Sequence, residues 1–435
     1  MAAASDAHLH QRPAIAMDKG HRVHGSPAMK CRYCATPLHD VFLDLGSAPP
    51  SNAFLTADTL NVPEAWFPLK LFTCGNCRLV QVDEVQSHAA LFAPDYVYHS
   101  SFSRSWLAHA ERYVEQAAAR LNLGPDSLVM EVASNDGYLL QYVATRGIPC
   151  VGIEPTSGTA AVARQKGIET LERFFGRDFA AEFVRDRGAA DLIVANNVLA
   201  HVPHINDFVA GLAAALAPEG AITVEFPHLM ELVAKRQFDT VYHEHFSYFS
   251  FHTVQQIFAA HGLTIWDVER LPTHGGSVRL WAAHAHSHHA ETPAVADLRR
   301  IETEAGMLDS AYYQHFQAEA DAVKNDCLTF LLEQRRAGCK VAGYGAAAKG
   351  NTLLNYAGVR PDLLPYVVDA SPHKQGHWLP GSRIPVVAQS RLREDRPDFV
   401  LILAWNLREE ITAQLDYIRE WGGRFVLAVP QLAIL

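Results

Sequence analysis

No apolar run in this sequence approaches the ~20 residues that a membrane-crossing helix requires. Positive charge is in deficit, with 37 Lys and Arg against 47 Asp and Glu and a formal net charge of −10. That balance argues against a general binder of nucleic acid or of anionic membranes, and an anionic substrate would need a local basic pocket. The first 28 residues lack the apolar block of a signal peptide and read as a disordered leader, residues 1–28. Cysteine is sparse. Four of the seven cysteines sit in two C-x-x-C pairs, which points to metal binding in a reducing cytoplasm and away from a disulfide framework. A three-glycine dinucleotide turn and the helical H-E-x-x-H zinc signature are also missing. Enough apolar material remains, 49% of 435 residues, for two or three globular domains.

The stretch Leu128–Leu140 organises what is present. Leu128, Val129, Met130 and Val132 form a short apolar run that reads as a buried strand, with Glu131 near its end. Ser134, Asn135, Asp136 and Gly137 supply turn and capping chemistry before the apolar positions Tyr138, Leu139, Leu140 and Tyr142 begin a helix. A second strand ends at Glu154, about 20 residues past the turn, where a carboxylate can accept both ribose hydroxyls of a nucleoside. The turn carries acids where a pyrophosphate would want bare amides. A nucleoside without phosphates but with a cationic sulfonium, S-adenosylmethionine, fits better.

In chain order, Cys31, Cys34, Cys74 and Cys77 form two knuckles suited to tetrahedral zinc, with no position left open for catalysis. A redox C-x-x-C or unrelated buried cysteines are the other readings. The segment around Tyr96, Tyr98 and Ser100 is rich in Tyr, Ser and His, and precedes an amphipathic helix over roughly 105–121. From about Ser127 to Ala217 strands and helices alternate, which implies a parallel sheet. One strand ends at Asn196. Asn197 and His201 follow, and one helical turn would put them on one face. Residues 241–250 concentrate Tyr242, His243, Glu244 and His245 among apolar neighbours. As a strand, this run would point Glu244 and His245 to opposite faces, whereas a bend would let Tyr242, Glu244 and His245 converge. General acid–base work suits it better than a metal. His274, Gly275, Gly276, Ser277 and Arg279 lie in a hairpin-like region that either approaches a substrate or merely turns the chain, and His284, His286, His288 and His289 read as a solvated cluster. Past a long charged helical stretch, Gly343, Tyr344 and Gly345 open a second strand–turn–helix, with Asp369 closing the next strand. Lys349 and Asn351 do not belong to a dinucleotide fingerprint and suit a diphosphate held by charge and hydrogen bonds.

Together, the double C-x-x-C, Ser134–Gly137, Asn197–His201, Tyr242–His245, His274–Ser277 and Gly343–Thr352 resemble the three-domain sugar C-methyltransferases that act on nucleotide-linked keto-deoxysugars. The resemblance runs from about Cys31 to the C-terminus. It departs at Ala133, where the family usually has Gly. It implies an α/β chain with an N-terminal zinc-binding domain (29–93), a Rossmann-like S-adenosylmethionine methyltransferase domain (94–291) and a C-terminal Rossmann-like domain (292–435) that helps hold the nucleotide sugar without NAD. The expected cofactor contacts are Glu131, Ala133, Ser134, Asn135, Asp136, Gly137, Glu154 and Asn196. His245 is the candidate base, with Glu244 or Tyr242 orienting it or the sugar. Asn197, His201, Tyr96 and Tyr98 are candidates for the oxyanion and hydroxyl contacts. His274, Gly275, Gly276, Ser277, Arg279, Tyr344, Lys349 and Asn351 are the expected substrate side. The expected substrate is a nucleotide sugar, dTDP-linked, for a cytoplasmic monomer or weak oligomer with no nucleic-acid or membrane partner. An NAD-dependent oxidoreductase built on Gly343, Gly345 and Asp369, a methyltransferase acting on O or N, and a non-catalytic zinc scaffold are the alternatives.

Overall fold

The computed structural model describes residues 29–85 and 99–435, so Tyr96 and Tyr98 lie outside the described residues. Among these, no helix is long and apolar enough to cross a membrane. The N-terminal strands β1 (Asp40–Ala48), β2 (Phe67–Thr73) and β3 (Val80–Val82) pair antiparallel in that order. Alternation along β2 turns Leu69 and Leu71 inward, while in β1 a register shift between Val41 and Leu43 lets the adjacent Phe42 and Leu43 both be buried.

A second sheet contains β4 (Val129–Val132), β5 (Cys150–Ile153), β6 (Thr170–Leu171), β7 (Ala190–Asn196) and β8 (Leu216–Pro227). These five are parallel, and all four residues of β4 are buried, as a strand covered on both faces requires. The helix Arg104–Arg120, capped by Ser103, buries Ala110, Tyr113, Val114 and Ala117 on one face at helical spacing. The short strand β9 (Ser247–Tyr248) leaves this sheet and pairs antiparallel with β3, joining the N-terminal sheet. The strands β10 (Leu263–Leu271) and β11 (Ser277–His284) then form an antiparallel hairpin, and β11 pairs with β8. The strand order is β10-β11-β8-β7-β4-β5-β6. It reverses at β4, so the carboxyl ends of β4, β5 and β7 open a crevice where α/β sheets bind ligands.

A third sheet follows the helix Phe316–Ala337. It has β12 (Val341–Tyr344), β13 (Val367–Val368), β14 (Val386–Val387), β15 (Phe399–Ile402), β16 (Arg424–Leu427) and β17 (Ala433–Ile434), in the order β14-β13-β12-β15-β16-β17. Gly345, at φ +94, makes the turn from β12 into the helix Ala348–Tyr356, and a Cβ there would come within 3.0 Å of the Ala404 side chain. Asp369 accepts from Ala346 N at 2.7 Å and Ser371 N at 2.8 Å, so its carboxylate ties that turn to the loop after β13.

Candidate active site

The two knuckles bring four sulfurs together. Both close through a left-handed residue, Ala35 (φ +59) after the first and Arg78 (φ +62) after the second. All four Sγ atoms lie within 4.8 Å of one another, with Cys31–Cys77 at 3.6 Å, Cys34–Cys74 at 3.5 Å and Cys34–Cys77 at 3.6 Å. A tetrahedron of ~2.3 Å zinc–sulfur bonds has edges of about 3.8 Å, so the donor set fits zinc with little adjustment. Gln81 Nε2 donates to Cys31 Sγ at 3.3 Å, an outer contact suited to a thiolate. With four protein ligands this is a closed, structural zinc site.

A cavity of about 720 Å³ begins at the crevice of the second sheet and runs to the third. At the first end the turn after β4 holds Ala133 at φ +54 and Asn135 at φ +51 on the cavity wall. Ala133 thus takes, with a side chain, a conformation that favours glycine. Glu154 is 4% exposed. Its Oε2 accepts from Asn135 N at 2.9 Å, and its Oε1 from Thr156 N at 2.9 Å and from Thr156 Oγ1. Oε2 retains a lone pair for a further donor. Asn196 and Asn197 line the same wall from the end of β7, Asn197 at φ +55.

The remaining residues expected at the cofactor stand behind this wall and do not line the cavity. Glu131 and Ser134 are buried, and burial pushes the Glu131 carboxyl well above its usual range. Asp136 accepts from Ser101 N at 3.4 Å and pairs with Lys166 at 3.5 Å, so it anchors the segment entering this domain. Gly137, at φ +74, packs against the helix Ser157–Gln165, where a Cβ would sit 3.3 Å from that of Ala163.

The middle of the cavity is walled by His201, Tyr242, Glu244 and His245. Residues 241–246 form a turn, closed by His245 N donating to Tyr242 O at 3.0 Å, and the chain becomes a strand only at Ser247. The strand alternation is therefore not realised: Glu244 and His245 face the cavity together, while His243 turns away and donates to Pro68 O at 3.2 Å. Three regions fix this turn. Phe246 N donates to Ala200 O at 2.7 Å, Val82 N to Phe246 O at 3.1 Å, and Thr352 Oγ1 to Val241 O at 2.8 Å.

A carbonyl oxygen can only accept, so the His201 Nδ1–H donates to Glu244 O at 2.9 Å and the His245 Nδ1–H to Thr240 O at 3.0 Å. Both rings thereby keep their Nε2 lone pair in the neutral form. Burial holds His201 down to about 4; burial and the neighbouring His201 hold His245 well below the ordinary histidine range. Burial pushes Glu244 up to about 7, opposed by hydrogen bonds from Asn52.

His274 and Lys349 also line the cavity, near enough to His245 to act on it electrostatically. His274, at φ +53, stands edge-on to Trp106 with ring centroids 5.0 Å apart. Gly275 behind it is required, because a Cβ would meet Trp405 at 2.6 Å. Lys349 Nζ donates to Asn406 Oδ1 at 2.7 Å, lies 4.5 Å above the Trp405 ring, and is lowered to about 8 by burial against the pull of Asp239. The other residues expected on the substrate side do not line the cavity. Arg279 is 2% exposed, bonded to Glu225 at 2.9 Å and laid over Tyr113 at 4.4 Å. Gly276 packs on Glu231, Ser277 donates to Thr273 O at 2.9 Å, and Tyr344 and Asn351 are buried. The sequence reading missed Asn52, Lys374 and Trp106 on the wall. No local pattern marks Asn52 or Lys374, and Trp106 closes an aromatic segment in which Tyr96, Tyr98 and Ser100 draw the functional reading.

Three family models match in succession: a zinc binding domain over residues 31–92, a methyltransferase domain over 106–268 and a C-methyltransferase C-terminal domain over 272–430. The C-methyltransferase NovU of Streptomyces niveus is 34% identical over 412 residues, spanning 94% of this chain and 97% of that one. Among solved structures, magnesium protoporphyrin IX methyltransferase of Synechocystis PCC 6803 with bound SAH overlaps 41% of this chain and 83% of its own, at 17% identity and a TM-score of 0.34. The same protein with bound SAM overlaps 47% of this chain and 100% of its own, at 14% identity and 0.35. The sequence relationship extends over nearly the whole of both chains, and this chain belongs to the S-adenosylmethionine-dependent C-methyltransferase family.

Proposed function

We propose that this enzyme methylates a carbon next to the ketone of a nucleotide-linked keto-deoxysugar, with dTDP as the expected nucleotide. One observation carries the reading: a single cavity joins the strand ends bearing Glu154 and Asn196 to the His201–Tyr242–Glu244–His245 wall, and continues to Lys349 and Lys374. That is room for a nucleoside cofactor at one end, a sugar in the middle, and an anion beside two lysines.

S-adenosylmethionine supplies an electrophilic methyl group. The chain's residues must make the sugar carbon nucleophilic and place it. His245 Nε2 takes the proton next to the ketone; its low basicity keeps it unprotonated at neutral pH, at the cost of a smaller driving force. The developing enolate oxygen therefore needs donors. His201 in its neutral form presents an acceptor, so it suits a sugar hydroxyl, and donation falls to Tyr242 and Asn197. Asn135, Glu154 and Asn196 orient the donor nucleoside. Lys349 and Lys374 hold the diphosphate. Incubation with S-adenosylmethionine and a panel of nucleotide keto-sugars, read by mass spectrometry and NMR, tests the reading. A new C–CH3 signal on one sugar supports it, whereas transfer to O or N, or to no sugar, overturns it.

A further inference from the structure

We propose that Asn52, carried by the N-terminal zinc-binding region, is a positioning residue for the reaction: it holds the Glu244 carboxylate in the cavity wall and fixes how that group meets the substrate. The proposal rests on the reading that this wall faces the sugar. Asn52 Nδ2 donates to Glu244 Oε1 at 2.8 Å and to Oε2 at 2.9 Å. A carboxylate only accepts, so the amide nitrogen, not its oxygen, must face it. Glu244 is 2% exposed, and among the described residues these are the hydrogen bonds its side chain receives. Asn52 also lines the cavity itself.

The loop that carries Asn52 is held independently of Glu244. Ala53 N donates to Pro50 O at 3.1 Å, and Leu55 exchanges two 2.9 Å backbone bonds with Trp378 of the C-terminal region. Glu64 fastens the same loop through Arg383 at 2.9 Å and Gly381 N at 2.6 Å. Asn52 is therefore offered to Glu244 from a frame built by the first and third regions. An ionised Glu244 accepts from a sugar hydroxyl, whereas a protonated one donates and loses that selectivity. Burial favours the protonated form and the Asn52 bonds oppose it. Among the described residues, the titratable groups His201, Tyr242, His245, His274, Lys349 and Lys374 also line this cavity and His243 adjoins Glu244 in the chain, while burial and the Asn52 bonds are what act on the Glu244 carboxyl.

The test uses the full-length zinc-loaded enzyme and the variant Asn52→Leu, with Asn52→Ser as a milder second variant. In protein labelled with 13C-carboxyl glutamate, the Glu244 signal is assigned by its loss in Glu244→Gln. Its titration moves alkaline by about one unit in Asn52→Leu and by less in Asn52→Ser. The acid limb of kcat/KM for methyl transfer moves in step, while S-adenosylmethionine affinity stays within about twofold. In the Glu244→Gln background Asn52→Leu has no further effect, because the two act as one unit. An unmoved titration, or additive losses in the double variant, overturns the proposal. If wild-type enzyme methylates no keto-sugar, that failure falls on the substrate reading, and the carboxyl titration still decides whether Asn52 governs Glu244.

Discussion

His201 and His245 meet edge to face, with ring centroids 4.7 Å apart and planes at 68°. Each spends its Nδ1–H on a backbone carbonyl, and the two carbonyls, Glu244 O and Thr240 O, belong to the turn that carries His245 and to the residue just before it. One short segment therefore sets the tautomer of both imidazoles. Two neutral rings pack this closely at no electrostatic cost, whereas protonating one discourages protonating the other.

The first consequence concerns His245. Proton removal and methyl transfer are separable steps, so a demethylated cofactor should support exchange of the substrate's acidic proton with solvent. His245→Asn keeps polarity and approximate size but loses the basicity. It is expected to abolish both methyl transfer and solvent deuterium uptake, with both ligands still bound. Deuterium uptake at the normal rate would place the base elsewhere, with His201 or Tyr242 next.

Parts of this site were legible in sequence because they are local. The knuckle cysteines, Glu154 at a strand end and the density of Tyr, His and Glu over 242–245 each announce themselves within a few residues. At 241–246 the sequence leaves strand and bend both open, because what decides between them is distant: Ala200, Val82 and Thr352 hold the bend from three regions. Arg279 misled for a related reason. Beside two glycines it reads as a residue that could approach a substrate, and only the fold reveals Glu225 on the paired strand beside it. Asn52 lies 192 positions from Glu244, and no periodicity links the two.

Glu154 supports a second prediction. Its carboxylate is already aligned by the Asn135 and Thr156 amides, so a ribose hydroxyl meets a charged acceptor that need not reorganise. Glu154→Ala should weaken S-adenosylmethionine binding by roughly tenfold or more, since a hydrogen bond to a charged group contributes about 1.5–3 kcal/mol. Calorimetry checks this, and unchanged affinity would remove Glu154 from the cofactor site.

Zinc gives a third. Metal analysis of protein purified without chelators should find one zinc per chain, and Cys74→Ser should lower the yield of folded protein more than it alters the chemistry of what folds. The reason is where the metal sits: Thr253 Oγ1 donates to Cys77 O at 3.0 Å, and β3, which follows the second knuckle, pairs with β9 beside the His245 turn. Zinc loss is expected to unsettle that turn, visible as loss of methyl transfer in step with loss of secondary structure. Full activity in metal-free protein would contradict a structural role.

Lys349 carries the last prediction. Its ammonium is buried among Asn406, the Trp405 face and Asp239, and burial lowers it to about 8. Asp239 is engaged by Trp405 Nε1 at 2.7 Å and is raised to about 6 by burial, so near pH 8 it is still ionised and pulls the lysine up without overcoming its burial. Burial thus brings Lys349 partway to its neutral form in the unliganded enzyme as the pH rises toward 8. A diphosphate arriving beside it favours the charged form and raises the lysine, so binding must take up a fraction of a proton. Calorimetric titrations in buffers of different ionisation enthalpy should show that uptake at pH 8 and little of it at pH 6.5, where the lysine is already charged. Lys349→Met should abolish the uptake and raise KM for the sugar nucleotide about tenfold or more, the effect of losing a charge-assisted contact, while S-adenosylmethionine affinity stays unchanged. An effect on cofactor affinity instead would mean that the anion-binding end of the cavity has been misplaced.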